Sequence, residues 1–190
     1  MEPRQRPGGR SARVRAAVLE AALSEIGASG WGSLSVERIA ERSGVHKTTI
    51  YRRWGGADQV VLDALLNRGS EGIPIPDTGT LTGDLLALGR LIATMISEPV
   101  GRAVATAVLV EADSPTLSSL AQVFWSERFS RAAVIVERAI ERGEVSGRAD
   151  PNGMIEALAS QIWFRIMMRR GAVTDDWISS VVDRTIDISA

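Results

Sequence analysis

The sequence predicts an all-α protein of about nine helices. Three observations carry that expectation. Apolar residues recur at helical spacing through most of the 190 residues. No stretch shows the period-two alternation of a half-buried strand. The periodic segments begin at capping residues such as Ser35 and Asp150-Pro151, and end at Gly or Pro, as at Pro99, Gly143 and Gly171.

Residues 1–10 (MEPRQRPGGR) hold Pro, Gly and Arg without periodicity and are expected to be a disordered basic arm. Ser11 to Ala28 reads as a helix on Val14, Val18, Leu19, Ala22, Leu23 and Ile26. Gly27, Gly30 and Gly32 then mark a loop around Trp31. Ser35 is a good N-cap for a short helix to Arg42, with Glu37 in the first turn, where the helix dipole favours an anion. Ser43-Gly44-Val45 makes a tight turn into a second short helix, His46 to Trp54, which Gly55-Gly56 breaks. Ala57 to Asn67 follows, apolar at Val60, Val61, Ala64 and Leu65.

Residues 69–80 are the one clear composition shift, rich in Gly and Pro, and are expected to link a domain at 11–68 to another at 81–190. The second part reads as longer helices over Leu81–Ser97, about Val100–Ala112, Thr116–Arg142, Asn152–Arg170 and Thr174–Ile188.

Composition narrows the chemistry. There is no cysteine and one histidine, His46, which removes disulfides, thiolate zinc sites, Cys nucleophiles and nearly every Ser-His arrangement. No phosphate-cradling Gly loop, Gly-x-Ser-x-Gly or His-Glu-x-x-His occurs, so neither an enzyme nor a cofactor is expected. The basic start has no apolar stretch of the secretory kind, and no apolar run approaches a membrane span. A cytoplasmic, nucleoid-associated address is the expectation. The net charge of −1 hides an asymmetry: residues 1–68 carry 11 Lys and Arg against 7 Asp and Glu, whereas residues 69–190 carry 11 against 16. Only the first part is suited to a polyanion.

Two short helices around a Gly turn have the geometry of a helix-turn-helix. Val36, Ile39 and Ala40 make the inner face of the first helix, and Val45 and Ile50 plug the second into the core. His46, Lys47, Thr48, Thr49, Tyr51, Arg52 and Arg53 then occupy outward or end positions, a donor-rich surface on a helix short enough for the major groove.

The stretch Leu34 to Trp54 (LSVERIAERSGVHKTTIYRRW) resembles the DNA-binding segment of TetR-family regulators. The pieces Asp77-Thr78-Gly79-Thr80-Leu81, Gly83-Asp84-Leu85, Arg142-Gly143-Glu144 and Asp150-Pro151 resemble one branch of that family. The resemblance implies a three-helix helix-turn-helix domain joined to a larger helical bundle, working as a homodimer. It also implies that the second short helix reads bases while Thr49 and Tyr51 hold phosphates. Lys47, the only lysine, can reach guanine, and Ser35 can present a helix N-terminus to a phosphate. Arg4, Arg6 and Arg10 can enter the minor groove or screen the backbone. Two positions depart from the pattern. His46 stands where Ser usually caps the recognition helix, and Ala57 stands where a phosphate-binding Lys usually opens the next helix.

The helix predicted over Asn152–Arg170 is apolar around most of its girth and needs cover on both sides. With the family's dimer in mind, Ile155, Leu158, Ile162, Ile166, Trp177, Ile178, Val181 and Val182 are the expected interface; a single thick core is the alternative. A pocket for a small hydrophobic or amphipathic ligand is expected among Met95, Val108, Glu111, Phe124, Trp125, Arg128, Trp163 and Met167, with the charge of the ligand left open. The expected function is a sequence-specific regulator that binds a palindromic operator in double-stranded DNA, most simply a repressor released by ligand. A constitutive repressor or an activator without inducer is the alternative, and a helical enzyme the remote one.

Overall fold

The structure is a computed structural model that describes residues 9–72, 75–110 and 115–189. Among these residues all regular structure is helical, in nine α-helices with no strand. The helices are α1 (Arg10–Ser29), α2 (Val36–Ser43), α3 (Lys47–Trp54), α4 (Ala57–Gly72), α5 (Leu81–Ser97), α6 (Pro99–Val110), α7 (Pro115–Glu141), α8 (Pro151–Trp163) and α9 (Asp175–Ser189). A 3-10 turn, Trp31–Ser33, precedes α2, and a π turn, Phe164–Met168, prolongs α8.

The differences from the expected boundaries have local causes. Arg10, expected in the arm, belongs to α1, with Gly9 ahead of it; residues 1–8, Arg4 and Arg6 among them, lie outside the described residues. The first residues of the predicted linker are helical, because α4 continues to Gly72. Residues 73–74 lie outside the described residues. Pro99 stops α5 but also opens α6, where its missing N–H is no loss and its fixed φ suits a first helical residue.

Two apolar cores organise the chain. In the first, Val18, Ala22 and Ile26 of α1 meet Ile39 of α2, Ile50 of α3, and Val60, Val61 and Ala64 of α4, all essentially inaccessible. In the second, Leu85 and Ile96 of α5 pack with Ile135 and Val136 of α7, Met154 to Ile162 of α8, and Ile178 to Val182 of α9. α6 bridges the two: Ala103 and Val104 pack against the first core, and Gly101 lets the start of α6 pass tightly over the Met95 carbonyl of α5.

The expected dimer face is corrected here. Ile155, Leu158, Ile162, Ile178, Val181 and Val182 are each 2% exposed or less within a single chain. They are filled by α5, α7 and α9 packing around α8, so the helix that is apolar all round finds its cover inside its own protomer. Ile166 and Trp177 are half-buried beside the same core. The large apolar groups left outside on this segment are Phe164 and Met168, 57% and 61% exposed.

The start of α5 is tied to the end of α7. Thr80 caps α5 by accepting from Gly83 N at 3.1 Å. Asp84, wholly buried, accepts from Thr78 N at 2.5 Å and Thr78 Oγ1 at 2.8 Å. Arg138 pairs with Asp77 at 2.9 Å and lies 3.6 Å from Asp84. Glu144 accepts from Leu81 N at 2.6 Å and is paired with Arg142. The Leu81 bond and the Arg142 partner hold the Glu144 carboxyl below the usual glutamate range. Among the described residues no helix is long and apolar enough to cross a membrane.

Candidate nucleic-acid interface and ligand cavity

The α2–turn–α3 unit is built by caps and one left-handed residue. Ser35 Oγ accepts from Arg38 N at 3.3 Å, the N-cap bond that starts α2. Gly44 ends it at φ 67°, a left-handed conformation that residues with a side chain rarely adopt. His46 then caps α3, its Nδ1 3.5 Å from Thr48 N and 3.0 Å from Thr48 Oγ1. Val36, Ile39 and Ile50 are buried beneath.

That anchoring orients the opposite face outward. His46, Lys47, Thr48, Tyr51, Arg52 and Arg53 are exposed, Tyr51 to 47%, and Thr49 is half-buried at the edge. Ser35 is half-buried at the start of α2. Lys47 Nζ lies 4.0 Å from Glu37, the nearest anion it pairs with. Arg53 is committed within the protein. Its guanidinium lies 5.0 Å from the Trp54 ring centroid and donates to Ser11 Oγ at 3.2 Å and to the Ser11 carbonyl, tying α3 to the start of α1. Trp54 is half-buried and donates to Asp63 of α4 at 2.9 Å. Asp63 also receives Arg15 of α1 at 3.1 Å.

Sequence reasoning missed the ion cluster under this unit. Glu25, on the buried side of α1, is 3% exposed and accepts two bonds from Arg42 of α2, at 3.0 and 3.2 Å. Arg38 Nε approaches its other oxygen at 2.8 Å, close enough for an ion pair but off the angle for a hydrogen bond. Burial acts to raise the Glu25 pKa. The bonds from Arg42 and Ser29 and the charges of Arg38 and Arg42 outweigh it and hold the carboxyl below its usual value. Glu25 sits at a helical position in an apolar stripe, and its spacing to Arg38 and Arg42 in sequence carries no signal.

Between α4, α5, α7 and α8 lies a narrow cavity of about 70 Å³. A second chamber shares the wall made by Leu65, Leu91, Met95, Phe124, Trp125 and Arg128, and adds Trp163 and the start of α6. Met95, Phe124, Trp125, Arg128 and Trp163 are thus brought together. Met167 is not among the lining residues; it packs on the second core. The Val108 side chain and Glu111 lie outside the described residues. Leu65 and Leu66 of α4, assigned from sequence to the first domain, form part of the wall.

The cavity is aromatic on one side. Trp125 packs edge-on to Phe124 and Trp163, with centroids 5.0 and 5.2 Å away, and is tilted on Phe129 at 5.6 Å. Arg128 lies 5.0 Å over the Phe124 ring and donates to Met95 Sδ at 2.9 Å.

Residues 18–64 match the family described as bacterial regulatory proteins, tetR family, and residues 75–185 match the tetracyclin repressor-like C-terminal domain. The chain is 33% identical to the HTH-type transcriptional regulator AqdR of Rhodococcus erythropolis, over 83% of this chain and 76% of that protein. It is 26% identical to the uncharacterized HTH-type transcriptional regulator YdeS of Bacillus subtilis, over 87% and 84%. Its fold is similar to the crystal structure of the TetR family transcription regulator SCO0332, with TM-score 0.74 and 28% identity over 92% of this chain and 97% of that one. GusR of Salmonella enterica has a similar fold, with TM-score 0.75 at 13% identity over 96% and 98%.

Proposed function

The chain belongs to the TetR family of DNA-binding transcriptional regulators, and from that premise we propose that it is a repressor released from a palindromic operator when a small molecule fills the α4–α5–α7–α8 cavity. One observation carries the DNA half of this reading. Ile50 is fully buried while His46, Lys47, Thr48, Tyr51 and Arg52 of the same short helix are exposed, so α3 is fixed by one side and free to enter a groove by the other. Lys47 and Thr48 read base edges; Ser35, Thr49, Tyr51 and Arg52 meet phosphates. Arg53 acts one step back, holding α3 against α1 through Ser11.

Release is a population shift. Leu65 and Leu66, which wall the cavity, follow directly on Val60, Val61 and Ala64, which lie in the first core. A ligand that favours one placement of α4 therefore moves the α2–α3 unit and weakens DNA binding by its difference in affinity for the two placements. A homodimer supplies the second recognition helix, about one DNA turn away. Its contact is built on the outer side of α8 and its π turn, around Phe164 and Met168. Such a protein works in the cytoplasm, at the nucleoid, and needs neither catalysis nor a cofactor.

The test is binding to the DNA upstream of its own and neighbouring genes, followed by fluorescence anisotropy at low and physiological salt. Sequence-specific binding that weakens steeply with salt is expected. If neither these fragments nor random-site selection yields a preferred sequence, the operator reading fails.

A further inference from the structure

The cavity described above has an unbalanced charge. Arg128 is half-buried in an apolar, aromatic wall, yet its contacts within the protein are a thioether and a ring face, Met95 Sδ at 2.9 Å and Phe124 at 5.0 Å. No carboxylate pairs with it among the described residues. Glu127 and Glu98, the carboxylates on the two chambers' walls, are exposed. Burial, and then the like charge of Arg131, push the Arg128 pKa down, so the surroundings disfavour the cation that they enclose. A guanidinium in that position recovers what it lost to desolvation only when an anion joins it.

A second, independent group points the same way. The Trp163 indole Nε1 is covered from solvent and has no acceptor. Trp163 shares the second chamber with Arg128 and is linked to it through edge-on rings, Trp163 on Trp125 at 5.2 Å and Trp125 on Phe124 at 5.0 Å. The wall thus holds a guanidinium bonded only to a thioether and, beside it, a covered indole N–H without a partner among the described residues, next to a flat apolar surface.

We propose that the ligand is an amphipathic organic anion. Its carboxylate, or an equivalent oxyanion, is bound by Arg128 with Trp163 as a further donor, and its apolar body lies against Phe124, Trp125 and Phe129. This rests on the reading of the cavity as the ligand site. It goes further by fixing the sign of the ligand's charge and the residues that choose it.

The test uses matched pairs that differ only in charge: 2-naphthoate against 2-naphthamide, and decanoate against decanamide. Each is titrated calorimetrically into the full chain and, separately, into its operator complex followed by anisotropy. The variants are Arg128→Met, which keeps bulk and apolar contact, and Arg128→Lys, which keeps charge. At least one acid should bind about tenfold or more tighter than its amide, as a charge-assisted hydrogen bond implies. Arg128→Met should remove that preference and Arg128→Lys restore part of it. Thermal melting without ligand guards against a folding defect; Arg128→Met should melt no lower than the parent, since it removes an uncompensated cation. Equal affinity for acid and amide, a preference that survives Arg128→Met, or no saturable binding of either acid overturns the proposal. Release of operator by the amides alongside such a result leaves ligand release standing. Acid binding that needs Arg128 but leaves operator affinity unchanged supports the anion site and removes the release reading.

Discussion

Lys47 stands in the first turn of α3 with its side chain exposed and only Glu37, at 4.0 Å, to hold it. Lys47→Ala is expected to weaken operator binding by about 1–3 kcal/mol and to relax the preference at one base position, read by anisotropy on a set of single-base operator variants. Uniform weakening across all the variants would make it a phosphate contact instead. His46 caps the same helix over a long 3.5 Å bond. His46→Ser should cap better and raise the thermal midpoint, by up to about 1 kcal/mol of stability. Glu25 gives a pH signature. Its pKa is held below the ordinary 4.5, so its stabilisation is complete above that value and disappears as pH falls through the lower, folded-state value. Glu25→Gln should lower the thermal midpoint at neutral pH and flatten its fall on acidification. An unchanged acid limb in the variant would show that Glu25 does not govern it. The cap at Ser35, the turn at Gly44 and the plug at Ile50 were legible in the sequence, because each is a local signal. Glu25 was not, because its partners lie 13 and 17 residues away on another helix.

Helix identity was equally legible, and helix ends were less so. Apolar periodicity located all nine helices, yet Pro99 reads equally as a stop for α5 and as the first residue of α6. The π turn after Trp163 leaves no trace in composition, and Met167 within it packs on the second core. The largest misreading concerned α8. An all-round apolar helix has no preferred side, so the sequence alone could not say whether its cover comes from its own protomer or from a partner. The answer lies in the packing of α5, α7 and α9 around Leu158 and Ile162. Close approach between elements makes its own prediction. At Gly101 a Cβ would run into the Met95 carbonyl, backbone that no side-chain rotation can move. Gly101→Ala should therefore lower stability in denaturant titrations, although alanine favours an isolated helix by about 1 kcal/mol. A gain in stability would mean that the α5–α6 corner opens freely.

The whole molecule is two cores joined by helices that belong to both. If two copies pair through Phe164 and Met168, the double variant Phe164→Glu, Met168→Glu should sediment as a folded monomer and lose operator affinity at the concentrations where the parent binds. A dimer that persists would place the contact elsewhere. The pieces around Asp77, Asp84 and Glu144, which resembled one branch of the family, converge with Arg138 on the start of α5 and anchor the second core there. α4 has a different status. Val61 and Leu65 are one turn apart, about 6 Å along the axis; Val61 lies in the first core, and Leu65 both packs on that core and lines the cavity. Inheritance acts on that turn as a unit. If the cavity takes an effector, a substitution there that admits a new one also disturbs the footing of the recognition helix, so changes of inducer and of target promoter would be constrained to evolve together through this segment.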